Sequence, residues 1–179
     1  LNNVKLTVTG QSGGNATQGI YNDGSLTLEN GASVSVNGVS QNGVNGSGSI
    51  SVTGSGSEIS VSNVAGTGIK CSDLTVSGGA AVDVDTASAH GVSVDTLDVS
   101  GTSTIEVSDA DICGVYAGTS ASISDSASVT LTDCNGDGTR GAFNMAAGAT
   151  LSVGETASVS LTGTGTNNVI KLGSDNNSL

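Results

Sequence analysis

Two consecutive segments of the chain, GIKCSDLTVSGGAAVDVDTASAH (Gly68–His90) and GVSVDTLDVSGTSTIEVSDADIC (Gly91–Cys113), have the same length and the same residue pattern. Each begins with Gly and a β-branched residue and continues with two apolar residues that are separated by one position. A Gly-containing turn and a second apolar pair follow, and a polar stretch leads to the next unit. This pattern is typical of one coil of a β-solenoid.

A column of glycines extends the repeat along the chain. A Gly followed by a small apolar residue recurs at nearly constant intervals, at Gly19, Gly43, Gly68, Gly91, Gly114 and Gly141. The next equivalent place is Asn168, and Asn adopts positive φ more readily than most residues. The column therefore predicts a backbone corner at positive φ that ordinary side chains do not tolerate.

Two sets of apolar pairs accompany the glycines, and a polar or small residue separates the members of each pair. The first set is Leu26/Leu28, Ile50/Val52, Leu74/Val76, Leu97/Val99, Ala121/Ile123 and Leu151/Val153; the second is Leu6/Val8, Val34/Val36, Ile59/Val61, Val82/Val84, Ile105/Val107, Val129/Leu131 and Val159/Leu161. A period of two is typical of β-strands. Together with the strand after each Gly, the pairs predict an all-β parallel β-helix of about seven coils with three short strands per coil. Because parallel connections are overwhelmingly right-handed, we expect a right-handed helix.

The composition favours a single acidic domain. Sixteen acidic and four basic residues give a net charge of -12, which disfavours nucleic acid and anionic membrane surfaces as partners. No apolar run approaches the roughly 20 residues of a membrane helix, so no membrane insertion is expected. No shift in composition divides residues 1–179, and the regular alternation argues against disorder. We expect one β-helix domain.

Neither end of the sequence shows an amphipathic helix or a charged cap that would protect the last coil. An open coil presents apolar surface and unpaired strand edges. We therefore expect the chain to be a fragment of a longer surface protein.

The Gly-Val/Ile, Leu-x-Val and Val-x-Val ladders, set in coils rich in Ser, Thr, Asp and Gly, resemble the right-handed β-helix regions of bacterial cell-surface and secreted proteins, including adhesins and autotransporter passenger domains. The resemblance implies an extracellular or cell-surface location and a non-catalytic structural or adhesive role, with glycans or host or cell-surface proteins as partners. Similar helices also carry pectate lyases and polygalacturonases. The alternatives are therefore a carbohydrate-binding module and a polysaccharide lyase or hydrolase.

The three aromatic residues suggest a ligand-binding surface. Tyr21, Tyr116 and Phe143 all fall at the second place after a Gly of the column, where another coil has Lys70. The Lys indicates an outward column, so Tyr116, Phe143 and Ile170 should stack into an exposed apolar strip. Contiguous exposed apolar side chains favour a sugar ring or a protein partner. The alternative is a neighbouring segment that covers the strip.

A possible calcium loop lies between Asp133 and Thr139. Its D-x-N-x-D-G core, with Asp133, Asn135 and Asp137, matches the first half of an EF-hand loop, in which oxygens at alternate positions bind calcium. The bidentate Glu of the twelfth place is replaced by Asn144. Asn-Gly and Asp-Gly also form turns without any metal. Calcium is therefore possible, and no other cofactor is expected.

The three cysteines are too few for a disulfide framework or a zinc site. Cys71 stands at an inward position and is predicted to be a small core residue. Cys113 and Cys134 lie in the return segments of successive coils and could form a disulfide.

Catalysis has weak support in the sequence. Asp83 and Glu106 should be neighbours on adjacent coils, where paired carboxylates could act as acid and base. A solvated acidic surface is the simpler interpretation in so anionic a chain. The sole histidine, His90, shares a polar corner column with Asn42, Thr67 and Cys113. We therefore expect a protein that is not an enzyme.

Overall fold

The computed structural model describes residues 1–10, 17–134, 140–163 and 170–173. Within these residues all regular secondary structure is β-strand, and the chain forms a parallel β-solenoid of about six turns. The strands are β1 (Lys5–Thr9), β2 (Ile20–Tyr21), β3 (Ser25–Leu28), β4 (Ser33–Asn37), β5 (Val44–Asn45), β6 (Ser49–Thr53), β7 (Glu58–Val64), β8 (Ile69–Ser77), β9 (Ala81–Ala87), β10 (His90–Val99), β11 (Thr104–Ala110), β12 (Cys113–Ile123), β13 (Ser128–Thr132), β14 (Phe143–Met145), β15 (Thr150–Val153), β16 (Ser158–Thr162) and β17 (Ile170–Lys171). The predicted fold class is confirmed, with a coil count close to the seven expected. The right-handed winding stays a prediction.

Two parallel sheets run along the solenoid. The seven-stranded sheet has the order β1-β4-β7-β9-β11-β13-β16, and the ten-stranded sheet has the order β17-β14-β12-β10-β8-β5-β2, with β3, β6 and β15 attached beside this path. Each strand pairs with its equivalent one coil away. The backbone hydrogen bonds of a coil are thus satisfied by its neighbours, so one coil cannot fold alone.

The predicted strands after each Gly are separate only in some coils. Early in the chain the strand after the Gly (β5) and the first apolar pair (β6) are distinct, and Gly46 and Gly48 lie between them. In the central coils the two segments fuse into the longer strands β8, β10 and β12. Three short strands per coil is therefore right for the early coils and too many for the central ones.

Stacked columns of apolar side chains form the core. The predicted pairs occupy equivalent register positions, as with Leu74 and Leu97 in one sheet and Val82 and Ile105 in the other. Most of these side chains have no more than 2% of their surface exposed. Burial stabilises each by roughly 1.5–3 kcal/mol, while ordering costs about 1–2 kcal/mol per residue. Only stacked coils bury enough apolar surface.

Close packing, and not backbone conformation, explains the glycine column. None of Gly19, Gly43, Gly68, Gly91 or Gly114 has a positive φ, so the prediction of a positive-φ corner at this column is wrong. At the first four of them, a Cβ would lie 2.2–2.5 Å from a Val Cγ1 and 2.5–2.7 Å from the carbonyl oxygen of the next Gly in the column. A side chain is excluded because the adjoining strand packs against the bare Cα.

A left-handed corner does recur, but in a different column. The second residue after the second apolar pair has a positive φ in five coils: Gly38 (71°), Asn63 (52°), Thr86 (60°), Asp109 (53°) and Asp133 (50°). Asn and Asp tolerate this conformation. Thr86 is β-branched, and it is strained there.

Candidate binding surface around Tyr116

The predicted strip of Tyr116, Phe143 and Ile170 does not form. In the ladder between β12 and β14, Val115 pairs with Phe143, and Tyr116 pairs with Asn144. Phe143 therefore points inward and is completely buried. Ile170 pairs with Phe143 and belongs to the same column, although 38% of it is exposed on the last described strand. A shift of one residue in the register sends each side chain to the opposite face of a sheet, and Phe143 lies one residue away from the place that the glycine spacing assigned.

Tyr116 does lie in the outward column. The column follows the ten-stranded sheet through Tyr21, Asn45, Lys70, Ser93, Tyr116, Asn144 and Lys171. Tyr21, at the other end, is 65% exposed, whereas Tyr116 is partly buried between its neighbours. Lys70 and Lys171 thus share a face of the solenoid with Tyr116.

His90 supports one side of Tyr116. The two ring centroids are 5.8 Å apart, with an angle of 35° between the ring planes. Nδ1 of His90 lies 2.9 Å from Sγ of Cys113, its register partner one coil along. A guanidinium nitrogen of Arg140 lies 3.5 Å from Nε2. Cys113 is completely buried, so the imidazole of His90 contacts the interior of the solenoid through Nδ1. Its ring packs against Tyr116, and its Nε2 lies near Arg140.

A groove beside Tyr116 opens toward the later coils, and we call it the basic groove. Its volume is about 360 Å³, which lies in the range of small-molecule sites. It is lined by Tyr116, Arg140, Asn144, Met145, Ala146, Ala147, Lys171 and Gly173. The described lining combines an aromatic ring, an amide and two positive charges, and none of these described residues is Asp or Glu. That set is unusual in a chain with 16 acidic and four basic residues.

A second groove of about 320 Å³ lies on the side of the earlier coils, and we call it the Lys70 groove. It is lined by Gly46, Ser47, Lys70, Cys71, Ser72, Ser93, Val94, Asp95 and Tyr116. Here the lining includes the carboxylate of Asp95 as well as Lys70. Cys71 is buried, as predicted, and burial, together with Asp73 and Asp95, raises the pKa of its thiol to about 12. The thiol is therefore protonated near neutral pH and is a poor nucleophile.

Cys113 and Cys134 do not form the disulfide that the sequence left open, and none of the three cysteines is in a disulfide. Their columns differ. Cys134 directly follows the left-handed corner residue Asp133, at the buried place that Ala110 fills one coil earlier, whereas Cys113 pairs with His90. Burial raises the pKa of the Cys134 thiol.

The possible calcium loop lies largely outside the described residues. Asn135 and Asp137 fall in the range 135–139, and Asp133 lies in the left-handed corner column. In the part of the chain that the structure describes, no three His, Cys, Asp or Glu side chains are grouped so that they could hold a metal ion. Calcium binding stays a hypothesis.

Asp83 and Glu106 are neighbours in the register, as predicted. Burial raises the pKa of Asp83, and the negative charges of Glu106, Asp85 and Glu58 raise it further. On the side of the previous coil the partner of Asp83 is Ser60. The arrangement disfavours the ionised form of Asp83, and no basic residue is among the causes of the shift.

The basic groove was missed in the sequence because of the assignment at Gly141. When Gly141 is aligned with the other glycines of the column, Phe143 takes the outward place, and Asn144 and Lys171 are assigned inward. The sequence nevertheless contained a signal for the correct register. If the alternating segment begins one residue after the place that Gly141 assigns, Phe143 and Met145 both point inward, and such large apolar residues are usually buried.

The comparisons with known proteins returned no match to a family model, to a curated protein or to a solved structure. No helix in the described part of the chain is long and apolar enough to span a membrane.

Proposed function

We propose that this chain is a non-catalytic structural and adhesive module of an extracellular or cell-surface protein. The supporting observation is the continuous stacking of coils, with apolar columns inside and Ser, Thr, Asn and Asp outside. Such a rod repeats its outward side chains about every 4.8 Å along the axis. A rigid support or a repetitive contact surface needs this regularity. The Gly-Val/Ile, Leu-x-Val and Val-x-Val ladders resemble those of bacterial β-helix proteins, and this resemblance favours a bacterial surface protein as the parent of the module.

Adhesion can be measured with beads that carry the purified chain and are washed over cultured epithelial cells at increasing flow. Control beads carry a Gly91→Val variant, in which the side chain collides with the neighbouring coil. We expect stronger retention of the beads with the native chain, and equal retention would contradict an adhesive role. Release of new sugar ends from a panel of polysaccharides would contradict the non-catalytic part of the proposal.

Carbohydrate recognition is the second candidate function, and the position of Tyr116 between two grooves favours it. An aromatic ring offers a flat apolar face to the C–H groups of a sugar, while polar groups nearby can hydrogen-bond its hydroxyls. Only Tyr116 of the three predicted strip residues takes part in this version of the hypothesis.

A glycan array with the purified chain tests this second candidate. We expect Tyr116→Ala to lower binding at least tenfold, which corresponds to the loss of one well-placed aromatic contact. Tyr21→Ala is the matched control, because Tyr21 lies in the same outward column but lines neither groove. An equal loss in both variants, or no loss in either, would contradict recognition at Tyr116.

A further inference from the structure

We propose that the Lys70 groove binds a neutral sugar ring of a glycan. In this arrangement neighbouring hydroxyl groups lie between the ammonium of Lys70 and the carboxylate of Asp95, and an apolar face of the ring packs on Tyr116. The proposal rests on the carbohydrate recognition proposed above and specifies its groove and its ligand class. A neutral ligand is favoured over an ion because the lining holds one charge of each sign.

The Lys70 groove lies on a continuous part of the described chain. Its lining comes from four successive coils, at residues 46–47, 70–72, 93–95 and 116, and each of these residues has described neighbours on both sides in the sequence. In the outward column Ser93 lies between Lys70 and Tyr116, so the backbones of Lys70 and Tyr116 are about 10 Å apart, or two steps between paired strands. A sugar ring can therefore reach the charged and the aromatic side chain at the same time.

A β-bulge places Asp95 at the groove. The register between β10 and β12 shifts between Val94 and Thr96, so Asp95 lies at an irregularity of the ladder, and bulges redirect side chains and are frequent beside functional sites. Gly118 lies next to Asp95 in the following coil, and a Cβ on Gly118 would be 3.0 Å from Oδ1 of Asp95. Because Gly118 has no side chain, the carboxylate stays uncovered on this side, and Asp95 is exposed.

The charged groups of Lys70 and Asp95 are available to a ligand. Both residues are exposed, and neither side chain makes a hydrogen bond or an ion pair with any residue that the structure describes. The hydroxyls of Ser47 and Ser72, in contrast, are oriented by hydrogen bonds within the protein. A ligand that binds Lys70 and Asp95 therefore displaces water from them and breaks no hydrogen bond of the solenoid.

The two charged groups match the hydrogen-bonding chemistry of neighbouring sugar hydroxyls. The Lys70 ammonium only donates and the Asp95 carboxylate only accepts, whereas a hydroxyl does both. One hydroxyl can thus accept from Lys70 while its neighbour donates to Asp95, and charged partners make such hydrogen bonds stronger than neutral partners do. A ligand with a single charge would be attracted by one of these groups and repelled by the other. The pair therefore selects a neutral polar ligand.

The remaining lining suits a ring with an apolar face. Tyr116 offers an aromatic surface, and Cys71 and Val94, which are almost completely buried, add apolar atoms beside it. A sugar ring presents C–H groups on its faces and hydroxyls around its edge, so one face can pack on Tyr116 while the edge meets the charged groups. The groove volume of about 320 Å³ lies within the range of small-molecule sites.

Calorimetric titration of the full chain with four tetrasaccharides tests the ligand class. Cellotetraose, mannotetraose and galactotetraose are neutral and differ in the orientation of their hydroxyls, whereas tetragalacturonate carries a carboxylate on every ring. We expect at least one neutral sugar to bind, and the acidic sugar to bind at least tenfold more weakly because its carboxylates meet Asp95. The affinity for the neutral sugar should change by less than about twofold between about 0.1 and 1 M salt, since the ligand has no charge to be screened. Tighter binding of tetragalacturonate that weakens with salt would overturn the assignment of a neutral ligand.

Two substitutions test the groove. Lys70→Gln and Asp95→Asn each remove one charge and keep a polar side chain, and each should weaken binding of the neutral sugar by about 10- to 100-fold, as expected for a lost charge-assisted hydrogen bond. Lys5→Gln on β1 and Asp98→Asn on β10 are the matched controls, because they remove the same charges from residues that do not line the groove. The controls should leave the affinity within about twofold, and thermal unfolding of each variant verifies that it is folded.

The outcomes separate this inference from the recognition on which it rests. Binding of a neutral sugar that Lys70→Gln and Asp95→Asn leave unchanged would overturn the Lys70 groove as the site, while recognition at Tyr116 would stand. Equal losses in the variants and their controls would also overturn the site, because they would reveal a nonspecific effect of charge. Failure of all three neutral sugars to bind would overturn this inference, and carbohydrate recognition would fall with it only if the glycan array also showed no binding that depends on Tyr116.

Discussion

Nδ1 of His90 lies 2.9 Å from Sγ of Cys113, its neighbour one coil along the solenoid. This contact joins the interior to the surface, since Cys113 is completely buried and the His90 ring packs against Tyr116. A substitution of Cys113 should therefore change the position of the His90 ring beside Tyr116 and the basic groove.

The contact predicts an effect of Cys113→Ala on the only histidine of the chain. We expect the imidazole resonances of His90 to shift in NMR spectra, because the ring loses the partner that fixes it. We also expect a loss of about 0.5–1.5 kcal/mol in the free energy of unfolding, the usual contribution of one hydrogen bond. Cys71→Ala removes another buried thiol that does not contact His90, and it should leave the resonances in place. Unchanged resonances in Cys113→Ala would show that the thiol does not orient the ring.

The glycine column predicts a large cost for one added methyl group. In Gly91→Ala the new Cβ would lie 2.2 Å from Cγ1 of Val107 and 2.7 Å from the carbonyl oxygen of Gly114. We expect a loss of about 1–3 kcal/mol or more in the free energy of unfolding in urea, since an overpacked core must shift its backbone. Gly24→Ala is the control, because nothing lies within 4 Å of its added Cβ. Similar losses in the two variants would contradict the packing explanation.

The left-handed corner predicts a stabilising substitution at Thr86. Thr86→Asn places at this corner the residue that Asn63 supplies one coil earlier, and Asn accepts a positive φ at lower cost than a β-branched residue. We expect a gain of roughly 0.5–1 kcal/mol, or about 1–4 °C in the melting temperature. The same change at Thr130, a strand residue of β13 outside the left-handed region, should give no gain. A lower melting temperature for Thr86→Asn would show that the corner is not strained.

The carboxylates of Asp83 and Glu106 predict a stability that depends on pH. The pKa of Asp83 is raised above its ordinary value of 3.8, so the ionised form of Asp83 is disfavoured in the folded protein. The resulting destabilisation is present at pH 7, decreases as the pH falls through the raised pKa, and is absent below the ordinary value. Asp83→Ser should therefore raise the melting temperature by about 1–3 °C at pH 7, as expected for relief of a like-charge pair across two strands.

The same substitution should give little or no gain at a pH below the ordinary value for Asp. Asp98→Ser is the control, because the register partners of Asp98 are Thr75 and Ser122. A gain from Asp83→Ser that persists undiminished at low pH would rule out charge repulsion as its cause.

The sequence predicted most of the core and little of the binding surface. Every coil has the same internal pattern, so pairs such as Ile105/Val107 could be assigned inward from alternation alone, and the register confirms them. The glycine column was recognised, but its cause was not, because sequence does not reveal how closely the Val107 side chain of the same coil approaches Gly91.

The error at Phe143 has a physical origin. Val92 and Val115 are register partners on adjacent parallel strands and are separated by one regular repeat of sequence. A longer stretch of chain separates Val115 from its next register partner, Phe143. The extra residues lie in the connection between β13 and β14, where no alternation marks the register. The basic groove depends on this register, since it sets Asn144 beside Tyr116.

The equal length of the two central coils has a consequence for how this rod can change in size. Ile69, Val92 and Val115 follow one another at equal intervals in a single column. Duplication of one such unit would therefore insert a complete coil and keep every side chain on its own face of the sheet. The rod would lengthen by about 4.8 Å, and Tyr116 would move away from Lys70 by that step alone. A single additional residue within a strand is accommodated in another way: β12 has one residue more than β10 between the partners of Val94 and Thr96, and a β-bulge there keeps Ile123 buried. Whole units lengthen the rod, whereas single residues are absorbed in bulges.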